Sequence, residues 1–301
     1  MIKFFSVMLI IFLKGMVKIF KAGKFSLKLS EKTYVMGILN VTPDSFNDGG
    51  KWFDTESAAE RAFFLQKIGA DIIDIGAQST RPGFIKVSAE EEIERLVPVL
   101  ERIKGKISVP VSVDTFYPGT AKVALKYGAD IINDVNGFKN PEMFEVISQT
   151  CCGIILVHNP MDFDSEFIPE DSYYGQSSLG KIISFFDEKI EQAKKFRVLK
   201  ERICLDPGIG FGKSKEENFE ILGNIDKFKF KGFPVMVGAS NKRITGVTRL
   251  EKFNGTLAAH AVAQFLGANI IRVHDIAESI CAAALVDKIV SSGRSSEARI
   301  S

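Results

Sequence analysis

Short apolar runs recur along the chain, and each gives way to a polar side chain or a turn. Val35–Leu39 ends at Asn40, and the run through Ile72-Ile73 and Ile75-Gly76 opens into Gln78-Ser79-Thr80-Arg81-Pro82-Gly83. Val109–Val113 ends at Asp114, Ile131-Ile132 at Asn133, and Gly153–Val157 at His158. Arg202–Leu205 ends at Asp206, Pro234–Val237 runs into Gly238-Ala239-Ser240, and Gly267–Ile271 ends at Arg272. Runs this short and this continuous predict strands buried on both faces. Between them apolar residues return at steps of three and four, as at Ala58, Ala62, Leu65 and Ile68. That spacing predicts helices over Thr55–Ile68, Ser88–Lys104, Thr120–Tyr127, Pro141–Gln149, Leu179–Phe196, Glu216–Asn224, Thr256–Leu266 and Ala277–Ser291.

The copies of Gly-Ala-(Asp/Asn)-Ile-Ile at Gly69, Gly128 and Gly267 lie 59 and 139 residues apart. These intervals correspond to two and four strand–helix units, which places the copies before strands two, four and eight. Eight buried strands alternating with helices predict a (β/α)8 barrel of the α/β class, one domain over residues 35–291. An open doubly wound sheet is the alternative. Its glycine fingerprint belongs after an early strand, whereas Gly208-Ile209-Gly210-Phe211-Gly212 follows strand six with the wrong spacing. Ahead of the barrel, Lys24–Ser30 alternates apolar and polar and follows apolar Val17–Phe20, predicting a hairpin within residues 16–34 that covers one end of the core. Residues 292–301 read as a disordered polar tail.

Composition changes this picture little. The formal net charge is +2, with no charged block that implies nucleic acid or a membrane surface. The four cysteines show no CxxC spacing, so buried, reduced thiols in a cytoplasmic protein are expected. Phe4–Leu13 is apolar but too short to span a bilayer, which takes about 20 residues. No small-residue cleavage site follows it, so residues 1–15 are read as a leader or as sequence ahead of a true start at Met16.

In a barrel of this kind all strand C-termini open on one face. That face gathers Asn40, Thr80, Arg81, Asp114, Asn133, His158, Asp206, Ser240, Lys242, Arg272 and His274. Asp114, Asn133 and Asp206 suit the N–H-rich edge of a flat heterocycle, since a carboxylate accepts two parallel hydrogen bonds. Lys242 supplies a donor for a ring carbonyl and Phe211 a face to pack on. Arg81, Arg272 and His274 suit a phosphorylated group. Asn40 is a neutral oxygen ligand compatible with Mg²⁺. His260, inside an Ala-rich helix, reads as structural, and His158 has no assigned role.

Asn40–Phe46, Ser79–Gly83, Ser112–Thr115, Asp206–Lys213 and Arg272–Asp275 together resemble, in order, the motifs of the dihydropteroate synthase family, over about residues 33–291. The resemblance implies a (β/α)8 transferase that joins p-aminobenzoate to 6-hydroxymethyl-7,8-dihydropterin pyrophosphate with Mg²⁺, and a homodimer formed through late helices. It assigns Asp114, Asn133, Asp206, Lys242 and Phe211 to the pterin, and Thr80, Arg81, Arg272 and His274 to the pyrophosphate, with Asn40 at the metal. Phe46, Asp48, Pro82 and Ser240 belong to the p-aminobenzoate loops, to which Thr80 and Arg81 also contribute. Lys242, Arg272, His274 and Asp114 are its implied catalytic set. The chain departs from the family at Gln78, usually Glu, at Asn241, usually Arg, and at Asn159, usually Met. Two alternatives share the scaffold: a barrel of the methyltetrahydrofolate-transfer type and a pterin-binding paralogue without synthase activity.

Overall fold

The computed structural model describes residues 18–42, 55–78, 86–161, 179–229 and 231–297. β1 (Ile19–Ala22) and β2 (Phe25–Lys28) form an antiparallel hairpin turning at Gly23. The barrel strands are β3 (Tyr34–Asn40), β4 (Ile72–Gly76), β5 (Val111–Asp114), β6 (Ile131–Asp134), β7 (Gly153–Val157), β8 (Ile203–Asp206), β9 (Met236–Val237) and β10 (Ile270–Val273). Their spatial order, β8-β7-β6-β5-β4-β3-β10-β9, is parallel throughout. A parallel bridge between Leu205 and Val235 joins the two ends, giving the expected barrel.

Helices α1 (Thr55–Lys67), α2 (Ala89–Ile103), α3 (Pro118–Lys126), α4 (Glu142–Ser148), α5 (Leu179–Lys195), α6 (Lys215–Leu222), α7 (Arg249–Phe265) and α8 (Ile276–Glu297) follow the strands in turn. Most match the pattern-based boundaries to within two residues, and two differ by more. α7 begins at Arg249, not Thr256, behind a capping box in which Thr248 and Glu251 each bond the other's backbone N–H. α8 continues to Glu297, so the expected disordered tail does not begin at Ser292: the backbone stays helical over residues 292–297, where no proline interrupts it.

Side chains along each strand alternate between the barrel interior and the helices. Ile73, Ile75, Val113, Ile132 and Ile154 point outward into the main helix–sheet core. Met36, Ile72, Ile131, Ile155, Cys204, Met236 and Ile270 point inward and pack as one apolar layer. Phe20, Ala22 and Leu27 of the hairpin join that layer, with Phe20 fully buried, so the hairpin stoppers the lower end. Gly23 N donates to Cys151 O at 3.1 Å, which fixes the hairpin to the start of β7. Two residues further along β4, β6, β8 and β10 the inward positions turn polar: Asp74, Asn133, Asp206 and Arg272. The lower layer is therefore a packed floor, and chemistry can occupy only the upper end.

Candidate active site

The rim begins with backbone register. Asn40 pairs with Gly76, Gly76 with Asp114, and Asp114 with Asn133, so one row crosses four strands. Gly76 leaves the middle of that row open. A Cβ there would lie 3.5 Å from Asp114 Cβ and 3.9 Å from Asn40 Oδ1.

Arg272 reaches across the barrel from β10. Its Nε donates to Asp74 Oδ2 at 2.6 Å and its Nη2 to Asp114 Oδ2 at 2.7 Å. Asp74 is fully buried and also accepts from Asn133 Nδ2 at 3.3 Å. Burial raises the Asp114 carboxyl above the ordinary range; Arg272 opposes this, and Asp74, Glu92 and Asp134 add to it. Burial alone would lower the Arg272 pKa, but Asp74 and Asp114 outweigh it and raise it further. Two of the five guanidinium N–H groups are engaged in these bonds, which hold the plane of the fork in place.

The loop after β8 brings the second carboxylate. Asp206 Oδ1 accepts Gly208 N at 2.7 Å, curling the chain directly behind the strand. Gly208 has φ +70, and a Cβ on it would lie 2.0 Å from His158 O, so both conformation and space demand glycine. Lys213, almost wholly buried, donates to His158 O, Gly208 O and Phe211 O at 3.0, 2.8 and 3.0 Å. Burial, reinforced by Lys242, lowers its pKa to about 7, while Asp206 and Glu217 work against this. Asn218 of α6 completes the clamp by accepting Gly210 N at 2.6 Å.

Lys242 lies across this loop. Its Nζ donates to Ile209 O and stands 4.3 Å from the centre of the Phe211 ring. Burial lowers its pKa to about 8; Asp206 and Asp114 oppose that and Arg272 adds to it. Burial likewise raises the Asp206 carboxyl, against Gly208 N–H, Lys242, Lys213 and Arg272. A Cβ on Gly238 would lie 3.6 Å from Arg272 Cβ and 4.0 Å from Asp206 Oδ2, so the chain leaving β9 runs between both. Ser240 Oγ lies 2.9 Å from His274 Nδ1 and accepts His274 N at 3.1 Å, joining the ends of β9 and β10. His260 Nε2 accepts Ala239 N at 3.1 Å from α7, a structural anchor for the same turn.

Asp114, Asn133, Asp206, Lys242, Phe211, Arg272, His274, Ser240 and Asn40 are thus gathered at one opening. Phe46, Asp48, Thr80, Arg81 and Pro82 lie outside the described residues. His158 is buried, with Nδ1 unpartnered, and burial lowers its pKa to about 2, helped by Lys213 and Lys139. Its carbonyl carries its contact with the loop. Asp74, Glu92 and Lys213 escaped the sequence reading. Asp74 falls inside an apolar run and not at its end, although a carboxylate within Ile-Ile-Asp-Ile was itself a signal.

The donor set at Asn40 fits a hard divalent cation. The side chain offers a neutral oxygen beside the open notch at Gly76, and Asp114 Oδ2 borders the same notch. No three His, Cys, Asp or Glu side chains form a cage among the described residues, and Mg²⁺ needs none when waters and phosphate oxygens complete its shell.

Residues 36–274 match the family described as pterin binding enzyme. The dihydropteroate synthase of Clostridium beijerinckii is 40% identical over 276 residues, covering 90% of this chain and 99% of that one. Among solved structures, dihydropteroate synthase from Clostridium difficile, determined in the presence of pteroic acid, is 37% identical with a TM-score of 0.78, covering 86% of this chain and 97% of that chain. The Xanthomonas albilineans enzyme, solved with 4-aminobenzoic acid, is 35% identical with a TM-score of 0.79, covering 88% and 95%.

Proposed function

Because the chain belongs to the pterin-binding enzyme family and has the activity of a dihydropteroate synthase, we propose how its rim residues divide the work. The reaction joins 6-hydroxymethyl-7,8-dihydropterin pyrophosphate to p-aminobenzoate and releases pyrophosphate. Asp206 and Asn133 take the N–H edge of the pterin, Lys242 donates to its carbonyl, and Phe211 backs its ring. Asp114 serves both the pterin and Arg272. Arg272 and His274 hold the pyrophosphate, with Thr80 and Arg81 as further donors. Phe46, Asp48, Pro82 and Ser240 serve p-aminobenzoate. Asn40 would hold Mg²⁺, which would supply positive charge to neutralise the pyrophosphate.

The arylamine is neutral at pH 7, so its nitrogen needs no strong base. Its lone pair attacks the pterin methylene carbon, the carbon–oxygen bond to pyrophosphate breaks, and the nitrogen sheds a proton to solvent. Arg272 is held in place before the reaction, so charge developing on the leaving oxygen meets a donor that need not reorient. The site binds and aligns the reactants, and no nucleophilic side chain enters the scheme.

The single observation that carries this reading is the Asp74–Arg272–Asp114 bridge. It holds the Arg272 guanidinium against the Asp114 carboxylate, so under the proposed roles the bond that breaks would lie between phosphate donor and pterin acceptor. Purified protein supplied with both substrates and Mg²⁺ should release one pyrophosphate for each dihydropteroate formed. Tight binding of the pterin pyrophosphate with no pyrophosphate released on adding p-aminobenzoate would reject it.

The chain is further proposed to act as a homodimer in the cytoplasm. Val262 and Phe265 on α7 and Leu285 and Ile289 on α8 are exposed at helical spacing, on helices tied together by Gln264 Nε2 bonds to Ala283 O and Asp287 Oδ1. No helix among the described residues is long and apolar enough to cross a membrane.

A further inference from the structure

We propose that Glu92 is a positioning residue for this reaction, acting through Gln78 and Thr115 to fix the end of β5 against the two flanks of the segment between Gln78 and Val87. Glu92 projects from the first turn of α2 and has no exposed surface. One carboxylate oxygen accepts Gln78 Nε2 at 3.2 Å, and the other accepts Thr115 Oγ1 at 2.5 Å. Gln78 then uses its other half: Oε1 accepts Val87 N at 3.4 Å. The chain leaving β4 and the chain entering α2 are thereby joined through one amide. Tyr117 adds a second tie, donating its hydroxyl to Val87 O at 2.6 Å while its backbone N–H donates to Thr115 Oγ1 at 3.2 Å. Lys86 stands 5.6 Å from the ring centres of both Phe116 and Tyr117. The Glu92 carboxylate and the Tyr117 backbone N–H both meet at Thr115 Oγ1, next to Asp114.

A buried carboxylate is expensive unless it is fully bonded, and an apolar side chain would fill the same space at less cost. Glu92 does what an apolar group cannot: it accepts from two donors on two different strand ends. Gln78 is matched to it in polarity, giving a proton where Glu92 has none. A carboxyl at position 78 could bond Glu92 only if the two shared a proton, because Val87 N already requires an acceptor on the other side. Arg95 on the same helix is a cation whose charge acts on Glu92, but it is directed at Ala77 O, at 2.7 Å, and at Glu91. Asp114 on β5 is the other charged group that faces Glu92, and Thr120 of α3 adds a hydroxyl. Burial already raises the Glu92 carboxyl, against Thr115, Thr120, Gln78 and Arg95, so a second carboxyl alongside would have to hold the shared proton.

This inference rests on the synthase reading above, and its test begins from wild-type enzyme that forms dihydropteroate; absence of that activity would strike the reading and not the network. The pH profile of kcat/KM for p-aminobenzoate is compared among wild type, Gln78→Glu and Gln78→Glu/Glu92→Gln. Gln78→Glu should match wild type at low pH and then fall, relative to it, by up to about tenfold per pH unit once the shared proton is lost. The double variant, with donor and acceptor exchanged, should recover the wild-type profile. A Gln78→Glu profile parallel to wild type at every pH would overturn the proposal. So would a loss that is independent of pH, persists in the double variant and tracks a lowered melting temperature, since that would mark a purely structural role.

Discussion

At the scale of the residue, Arg272 joins two groups that the linear pattern kept apart. Asp114 read as a ring-binding acceptor and Arg272 as a phosphate donor, because each ends a different apolar run. Their ion pair depends on the geometry of the closed barrel, which spacing along the chain cannot show. Replacing Arg272 with Met strands Asp74, which has no exposed surface, and Asp114 beside it. Removing one partner of a buried pair costs about 3–5 kcal/mol; with Arg272 one-fifth exposed, the lower end applies. Urea unfolding should show that loss, and adding Asp74→Asn should recover part of it. His260 provides a second test. Burial lowers its pKa to about 3, with Lys242 adding to the effect. Below pH 6.5 the unfolded chain therefore binds a proton that the folded chain refuses, and stability falls as pH falls. His260→Gln keeps an acceptor for Ala239 N and should flatten that fall by up to about 1.4 kcal/mol per pH unit as pH drops from 6.5 to 4.5. An unchanged slope in urea titrations across that range would show that His260 is charged when folded. His158 is neutral for the same reason and keeps its own share of the slope.

At the scale of the element, the strands were legible because each is a short apolar run closed by a polar residue. α7 was not, because Gly255 lies within it and reads as a boundary. The structure gives that glycine a reason. A Cβ on Gly255 would lie 1.9 Å from Thr245 O, so the helix can approach the preceding turn only without a side chain there. The Thr248–Glu251 capping box was the available signal for the true start, and the glycine masked it. Asn241 departs from the family pattern in a similarly readable way: its φ of 57 is one that Asn tolerates better than most residues. Gly255→Ala is therefore informative. Helix propensity alone favours the alanine by about 1 kcal/mol. The clash is with backbone, however, and Thr245 bonds Lys242 O through both its N–H, at 3.0 Å, and its hydroxyl, at 2.8 Å. The variant should lose roughly 1–3 kcal/mol, as overpacked sites do. Its KM for the pterin pyrophosphate should rise as Lys242 shifts, and a raised melting temperature with unchanged KM would show that the turn yields freely.

At the scale of the whole molecule, one end of the barrel is sealed with apolar side chains and the other carries the charge. The period of two along each strand made that division partly legible, since inward positions change from Ile72, Ile131 and Cys204 to Asp74, Asn133 and Asp206. The outward helices α7 and α8 raise a different question, because Phe265 and Ile289 remain exposed at 64% and 55% despite lying in ordered, well-packed elements. Large apolar side chains grouped in this way suit the proposed homodimer, in which another chain would cover them. A second copy of the same face would cover it symmetrically, as closed dimers require. The expected result is a dimer mass in sedimentation at micromolar concentration. Phe265→Lys combined with Ile289→Lys should give a monomer, because four like charges would then meet across the two-fold axis. Both positions are exposed in the single chain, so the variant's far-ultraviolet dichroism should match wild type. A monomer mass for the wild-type protein at every concentration, or a dimer that survives both lysines, would move the contact to another face.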